Sequence, residues 1–143
     1  MNRQHRILAI DDDPLTLRIV ERVLQKHGYE VFTALDGHDG LQKAHVLKPD
    51  LVILDIMMPG LDGFQVCRRL REDPETAVIT VLMLTARGAI DKPASDPVDF
   101  AQRVRDQLKG YRVGASDFLT KPVKAAVLVE RVQSLIWSGG VKD

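Results

Sequence analysis

The chain has 143 residues, 20 Lys and Arg balanced by 20 Asp and Glu, and 45% hydrophobic content, the profile of one globular domain with an ordinary core. A formal net charge of zero argues against a general binder of nucleic acid or anionic membrane, which needs surplus cations to meet phosphates. The single cysteine, Cys67, excludes a disulfide framework and a Cys-based zinc site. No apolar run approaches the ~18 residues of a membrane span, and the run at 7–10 is too short for a signal-peptide core, so the cytoplasm is the expected compartment.

In chain order, the first aliphatic run is the strand ILAI at 7–10, which leads straight into Asp11, Asp12 and Asp13. Pro14 then opens a helix predicted over 14–27, with Asp13 as N-cap, an apolar stripe of Ile19, Val20, Val23 and Leu24, and Gly28 as its stop. A second strand at 31–34 precedes a shorter helix over 37–47, stopped by Lys48 and Pro49. The third strand, LVIL at 51–54, runs into Asp55. After Met57, Met58, Pro59 and Gly60, a helix over 63–72 offers Phe64, Val66, Cys67 and Leu70 to the core, where Cys67 reads as an unreactive packed thiol.

The fourth strand, 79–84, leads into Thr85 and Ala86. Residues 87–114 are the irregular part: Gly88, Pro93 and Pro97 precede a helix predicted over 97–111 whose charges alternate in sign, the pattern of a solvated amphipathic helix behind a loop. A fifth strand at 116–119 ends at Thr120, Lys121 and Pro122. The final helix, 124–137, carries Val127, Leu128, Val132, Leu135 and Ile136, and 138–143 read as a tail or linker after a domain of residues 1–137.

Continuously apolar strands separated by helix-length connections are what a parallel sheet covered on both faces requires, so the fold class is α/β, a three-layer sandwich of five strands and about five helices. In such sheets ligands bind beyond the carboxyl ends of the strands. Here those ends carry Asp11, Asp12, Asp55, Thr85 and Lys121. Two carboxylates ~4 Å apart repel by about 4 kcal/mol at an effective dielectric of 20, so acids meeting at one sheet edge call for a cation between them. An all-oxygen donor set, with no His or Cys nearby in sequence, favours Mg²⁺ over zinc or copper.

The segments ILAIDDDP (7–14), LDIMMPGLDG (54–63), LTA (84–86) and GASDFLTKP (114–122) together resemble a response-regulator receiver domain, in register over nearly the whole chain. The resemblance implies a flavodoxin-like sheet in the order 2-1-3-4-5. It also implies that Asp55 accepts a phosphoryl group from a phosphohistidine on a sensor histidine kinase or phosphotransfer protein. Asp12, with Asp11 through water, would hold Mg²⁺ together with Asp55 and the backbone carbonyl of Met57, and Lys121 would neutralise phosphoryl oxygens. Thr85 would be the switch hydroxyl, and the space it vacates would admit the ring of Phe118. A homodimer through the fourth helix, fifth strand and fifth helix belongs to the same expectation, with no direct nucleic-acid or membrane contact.

The chain departs from the family pattern in a connection between the fourth strand and fourth helix that is longer by about a dozen residues, with the excess at 88–99. No output domain follows the fifth helix, so the sequence reads as a stand-alone receiver or a piece of a longer protein. Two other readings stand beside it. A haloacid-dehalogenase-type phosphatase would use Asp11 as nucleophile and Asp13 as acid/base, but Leu15 stands where that family has Thr or Val. A pseudo-receiver would keep the fold as a protein-binding module without phosphorylation.

Overall fold

The computed structural model describes residues 4–85 and 97–140 and, within the second span, the side chains of 105–138; Ala86 and most of the expected 88–99 insertion lie outside them. In chain order the elements are β1 (Arg6–Ile10), α1 (Pro14–Lys26), β2 (Glu30–Ala34), α2 (Gly37–Leu47), β3 (Leu51–Asp55), α3 (Gly63–Glu72), β4 (Thr80–Thr85), α4 (Pro97–Val113), β5 (Asp117–Thr120) and α5 (Ala125–Gly140). The five strands form one parallel sheet in the order β2-β1-β3-β4-β5. It is the flavodoxin-like arrangement expected from the sequence.

Alternation along each strand divides the core into two. Leu8, Ile10, Val52, Leu54, Val81 and Met83 point to the face covered by α2, α3 and α4. Ile7, Ala9, Leu51, Ile53, Leu82 and Leu84 point to the face covered by α1 and α5. Every residue of β3 is buried, because this strand has neighbours on both edges and helices on both faces.

The helices follow local chemistry closely, with two corrections. The Asp13 carboxylate accepts from Leu15 N–H and opens α1, and Asp62 with Gln65 makes a reciprocal capping box at α3. The buried line of α1 is Leu17, Val20 and Leu24; Ile19, expected inward, is 40% exposed, because the i, i+3, i+7 line starts at Leu17. On α5, Leu128 and Val132 are buried while Val127 turns outward, and the helix runs on to Gly140, past the expected end at Trp137. Among the described residues, no helix is long and apolar enough to cross a membrane.

At the amino-terminal pole of the sheet, a cleft of about 400 Å³ is lined by His5, Asp50, Thr80, Leu135 and Ile136, among others. The opposite pole, beyond the strand carboxyl ends, gathers the polar residues singled out in the sequence.

Candidate functional site

Asp55 is the last residue of the central strand β3 and is 3% exposed. Its backbone direction is fixed by the next turn: Ile56 N–H donates to Leu84 O (3.1 Å) and Gly63 N–H to Ile56 O (2.9 Å). Asp11 leaves the neighbouring strand β1 at the same height, with its own N–H bonded to Ala34 O (3.1 Å) and its Oδ1 accepting from Asp13 N–H (2.9 Å). Asp12, next in sequence, is exposed. One ligand oxygen from each of Asp11, Asp12 and Asp55 lies within 4.8 Å of the others.

Lys121 enters from beyond β5, positioned by its backbone N–H to Thr85 O (3.2 Å) and followed by a cis peptide bond to Pro122. Its Nζ is 2.8 Å from Asp11 Oδ2 and 3.4 Å from Asp55 Oδ1, so one ammonium serves two buried carboxylates. Burial pushes the Asp55 carboxyl up from the ordinary 3.8 to about 7, and the charge of Asp11 adds to the rise; Lys121 and the Met57 N–H pull against it. Burial by itself would lower Lys121, but hydrogen bonding to Asp11 and the charges of Asp55 and Asp11 outweigh it and hold the ammonium above its usual range.

These residues fit a hard divalent cation. Among the described residues, the buried Asp11 and Asp55 carboxylates share one ammonium and the exposed Asp12 lies beside them, leaving excess negative charge, and every candidate donor is oxygen. Asp11 Oδ2 is buried, and the Lys121 ammonium 2.8 Å away leaves it lone-pair capacity for a further partner. Met57 is the remaining residue of the expected set. Its side chain is 66% exposed beside the site, and its N–H supports the Asp55 carboxylate.

Thr85 ends β4 and is buried, with Oγ1 3.3 Å from Leu119 O and 3.5 Å from Thr120 Oγ1, so its hydroxyl faces β5. Phe118, on β5, lies under α4, 7% exposed and edge-on to Tyr111 at 4.9 Å. Asp13 stays outside the cluster: Thr16 Oγ1 (2.9 Å) and Leu15 N–H (3.0 Å) both donate to its carboxylate, and these two bonds hold its pKa below the usual value. With both oxygens engaged at the start of α1, this carboxylate serves as a helix cap, which disfavours the phosphatase reading that needs it as acid/base.

Three supporting residues were not singled out from sequence. A Cβ on Gly63 would lie 2.5 Å from the Asp55 carbonyl oxygen, so the turn behind the site closes only with glycine there. A Cβ on Gly110 would lie 2.5 Å from Phe118 Cζ. Arg71 of α3 donates to three carbonyls, Ala77 O (3.0 Å), Ile79 O (2.6 Å) and Gly114 O (2.7 Å), tying α3 to the entries of β4 and β5. Only the short Gly-x-x-Gly spacing around Asp62 hinted at any of them. Cys67 is buried, its Sγ 3.3 Å from Val113 O; burial raises its pKa and Arg71 only partly offsets this, as suits a packed thiol.

Known proteins resemble this chain over most of its length. The family model described as response regulator receiver domain matches residues 7–95. The chain is 44% identical over 131 residues to the DNA-binding dual master transcriptional regulator RpaA of Synechocystis sp., an alignment covering 92% of this chain and 48% of the relative. It is 43% identical over 133 residues to the response regulator PleD of Caulobacter vibrioides, covering 91% and 26%, and 37% identical over 131 residues to Protein PilH of Pseudomonas aeruginosa, covering 92% and 97%. The chain thus spans half or less of the first two relatives and nearly all of the third. Among solved structures, the chemotaxis protein CheY4 of Vibrio cholerae superimposes with a TM-score of 0.78 at 29% identity, covering 93% of this chain and 99% of that one.

Proposed function

The chain belongs to the receiver family of two-component response regulators, and from that premise we propose that Asp55 is its phosphoacceptor, served by a sensor histidine kinase or a phosphotransfer protein. The observation that carries the proposal is Lys121 Nζ standing between the Asp11 and Asp55 carboxylates, with Asp12 beside them. In the transfer, the Asp55 carboxylate attacks phosphorus in line with the departing imidazole. The P–O bond forms as the P–N bond breaks.

Asp11, Asp12, Asp55 and the backbone carbonyl of Met57 would hold Mg²⁺, which supplies charge neutralisation on the phosphoryl oxygens. Lys121 neutralises a second side of the same group. Thr85 gives its hydroxyl to a phosphoryl oxygen, leaving the β5 carbonyl it otherwise faces. The chain is a signalling domain that assists its own phosphorylation and dephosphorylation, and the signal leaves through a protein-interaction surface, the α4-β5-α5 face, at which we also place a homodimer. RpaA binds DNA; direct nucleic-acid contact by this chain forms no part of the proposal. We place the chain in the cytoplasm.

The test is incubation with Mg²⁺ and acetyl phosphate, followed by intact mass and peptide mapping of the adduct. A phosphoryl group on Asp55, absent from Asp55→Asn, is the expected result. Label on Asp11 with turnover of a phosphomonoester would point to the phosphatase, and no label at saturating donor to the pseudo-receiver.

A further inference from the structure

In the coupling implied by the family resemblance, burial of the Phe118 ring accompanies a Thr85 hydroxyl that has left β5 for the phosphoryl group. The structure combines the two differently. Thr85 Oγ1 faces β5, 3.3 Å from Leu119 O, while the Phe118 ring is already buried.

What makes room for the ring is Gly110. Where α4 crosses β5, a Cβ at this position would come within 2.5 Å of Phe118 Cζ, 2.8 Å of Cε1 and 3.1 Å of Met83 Sδ, all inside the van der Waals limit. Glycine in a helix is otherwise disfavoured relative to alanine, so a close approach is the physical reason for one here. Tyr111, the next residue, meets the ring edge-on at an interplanar angle of 81°.

The helix is also held at this height. Ala115 N–H donates to Gly110 O (2.9 Å), Arg71 Nη2 to Gly114 O (2.7 Å), and Cys67 Sγ to Val113 O (3.3 Å), so α3 and the turn that follows α4 hold its C-terminal end. Gly114, at φ 109°, leaves no space between its own Cα and the Arg71 side chain, whose Nε would be 2.5 Å from a Cβ there. A phenyl ring has no hydroxyl to draw it toward water.

We propose that Gly110 is a positioning residue that keeps the Phe118 ring buried whichever way the Thr85 hydroxyl faces, so that phosphorylation is reported by Thr85 and not by rotation of Phe118. The second half of this statement rests on Asp55 as phosphoacceptor; the first half stands without it.

The test uses the full chain labelled with fluorophenylalanine. It gives four ¹⁹F resonances, one for each Phe, with that of Phe118 assigned by Phe118→Leu. Solvent contact is read from the shift between H₂O and D₂O. The expected result is no solvent shift at Phe118 either before or after acetyl phosphate and Mg²⁺, with the Asp55 adduct verified by mass. A solvent shift present before and lost after phosphorylation would overturn the proposal. Gly110→Ala is expected to give Phe118 a solvent shift and to lower the urea midpoint by about 1 M. In the Phe118→Leu background that fall should shrink by at least half, since the clashing ring atoms are gone; an equal fall in both backgrounds refutes the Gly110 role. Where Gly110→Ala does not fold, the unmodified protein's own solvent shift decides. Absence of the adduct would count against the phosphoacceptor reading alone, because the measurements without donor still judge Gly110.

Discussion

At the scale of single residues, Asp55 holds its proton more tightly in the fold than in the unfolded chain, where the carboxyl returns to the ordinary 3.8. In EDTA the folded state therefore binds the extra proton between about pH 4 and 7. The contribution of this group to stability is greatest at the acid end of that window and declines as pH rises through it. Asp55→Asn removes the buried charge and is expected to stabilise the EDTA-treated protein at pH 8 by on the order of 1–2 kcal/mol while having little effect near pH 4. Urea unfolding at the two pH values checks it. Added Mg²⁺ should stabilise the parent protein at pH 8 and leave Asp55→Asn nearly unmoved. Lys121→Ala separates metal from phosphoryl chemistry: Mg²⁺ affinity by calorimetry should be retained or raised, because a competing cation is gone from between Asp11 and Asp55, while the response to acetyl phosphate weakens.

At the scale of elements, the site depends on how tightly α3 closes behind β3. A Cβ at Gly63 would strike the Asp55 carbonyl oxygen and the Ile56 Cα, both backbone, so no side-chain rotation relieves it. Gly63→Ala is expected to cost about 2 kcal/mol or more in thermal or urea unfolding and to slow phosphorylation by displacing Asp55. Arg71→Met would leave three inward carbonyls short of a donor, at about 2–3 kcal/mol, and should raise hydrogen exchange at the end of α4 more than in α1. Local rules made much of this level readable before any coordinates. Asp13 announces its helix as N-cap, and the bounds of α2 and α3 coincide with the sequence reading because Pro49 and the Asp73-Pro74 pair end them, whereas the Asp62 cap emerges only in the structure. Ile19 and Val127 were misread because a hydrophobic residue beside the stripe looks the same in sequence as one on it. Gly110 and Arg71 were invisible for another reason: their roles exist only between segments far apart along the chain.

At the scale of the molecule, parallel strands with no alternation in polarity announced a sheet covered on both faces, and the carboxyl-end rule brought Asp11, Asp12, Asp55, Thr85 and Lys121 to one pole before their distances were known. Strand order came from resemblance, since nothing local in the strands distinguishes 2-1-3-4-5 from its alternatives. The side to which the Thr85 hydroxyl turns and the burial of Phe118 are conformational facts that residue identity does not encode. The burial pattern sets an order of protection: amides of β1, β3 and β4 should exchange most slowly and those of edge strand β2 sooner, by hydrogen-exchange mass spectrometry.

The cleft at the amino-terminal pole has a practical corollary. His5 and the pair Leu135 and Ile136 share its walls, so backbone arriving at β1 and backbone departing from α5 meet on the side of the sheet remote from Asp55. A fluorescent reporter placed at His5 or Ile136 thus sits at the pole opposite the reacting carboxylate. Such a label probes folding at one pole while the chemistry proceeds at the other.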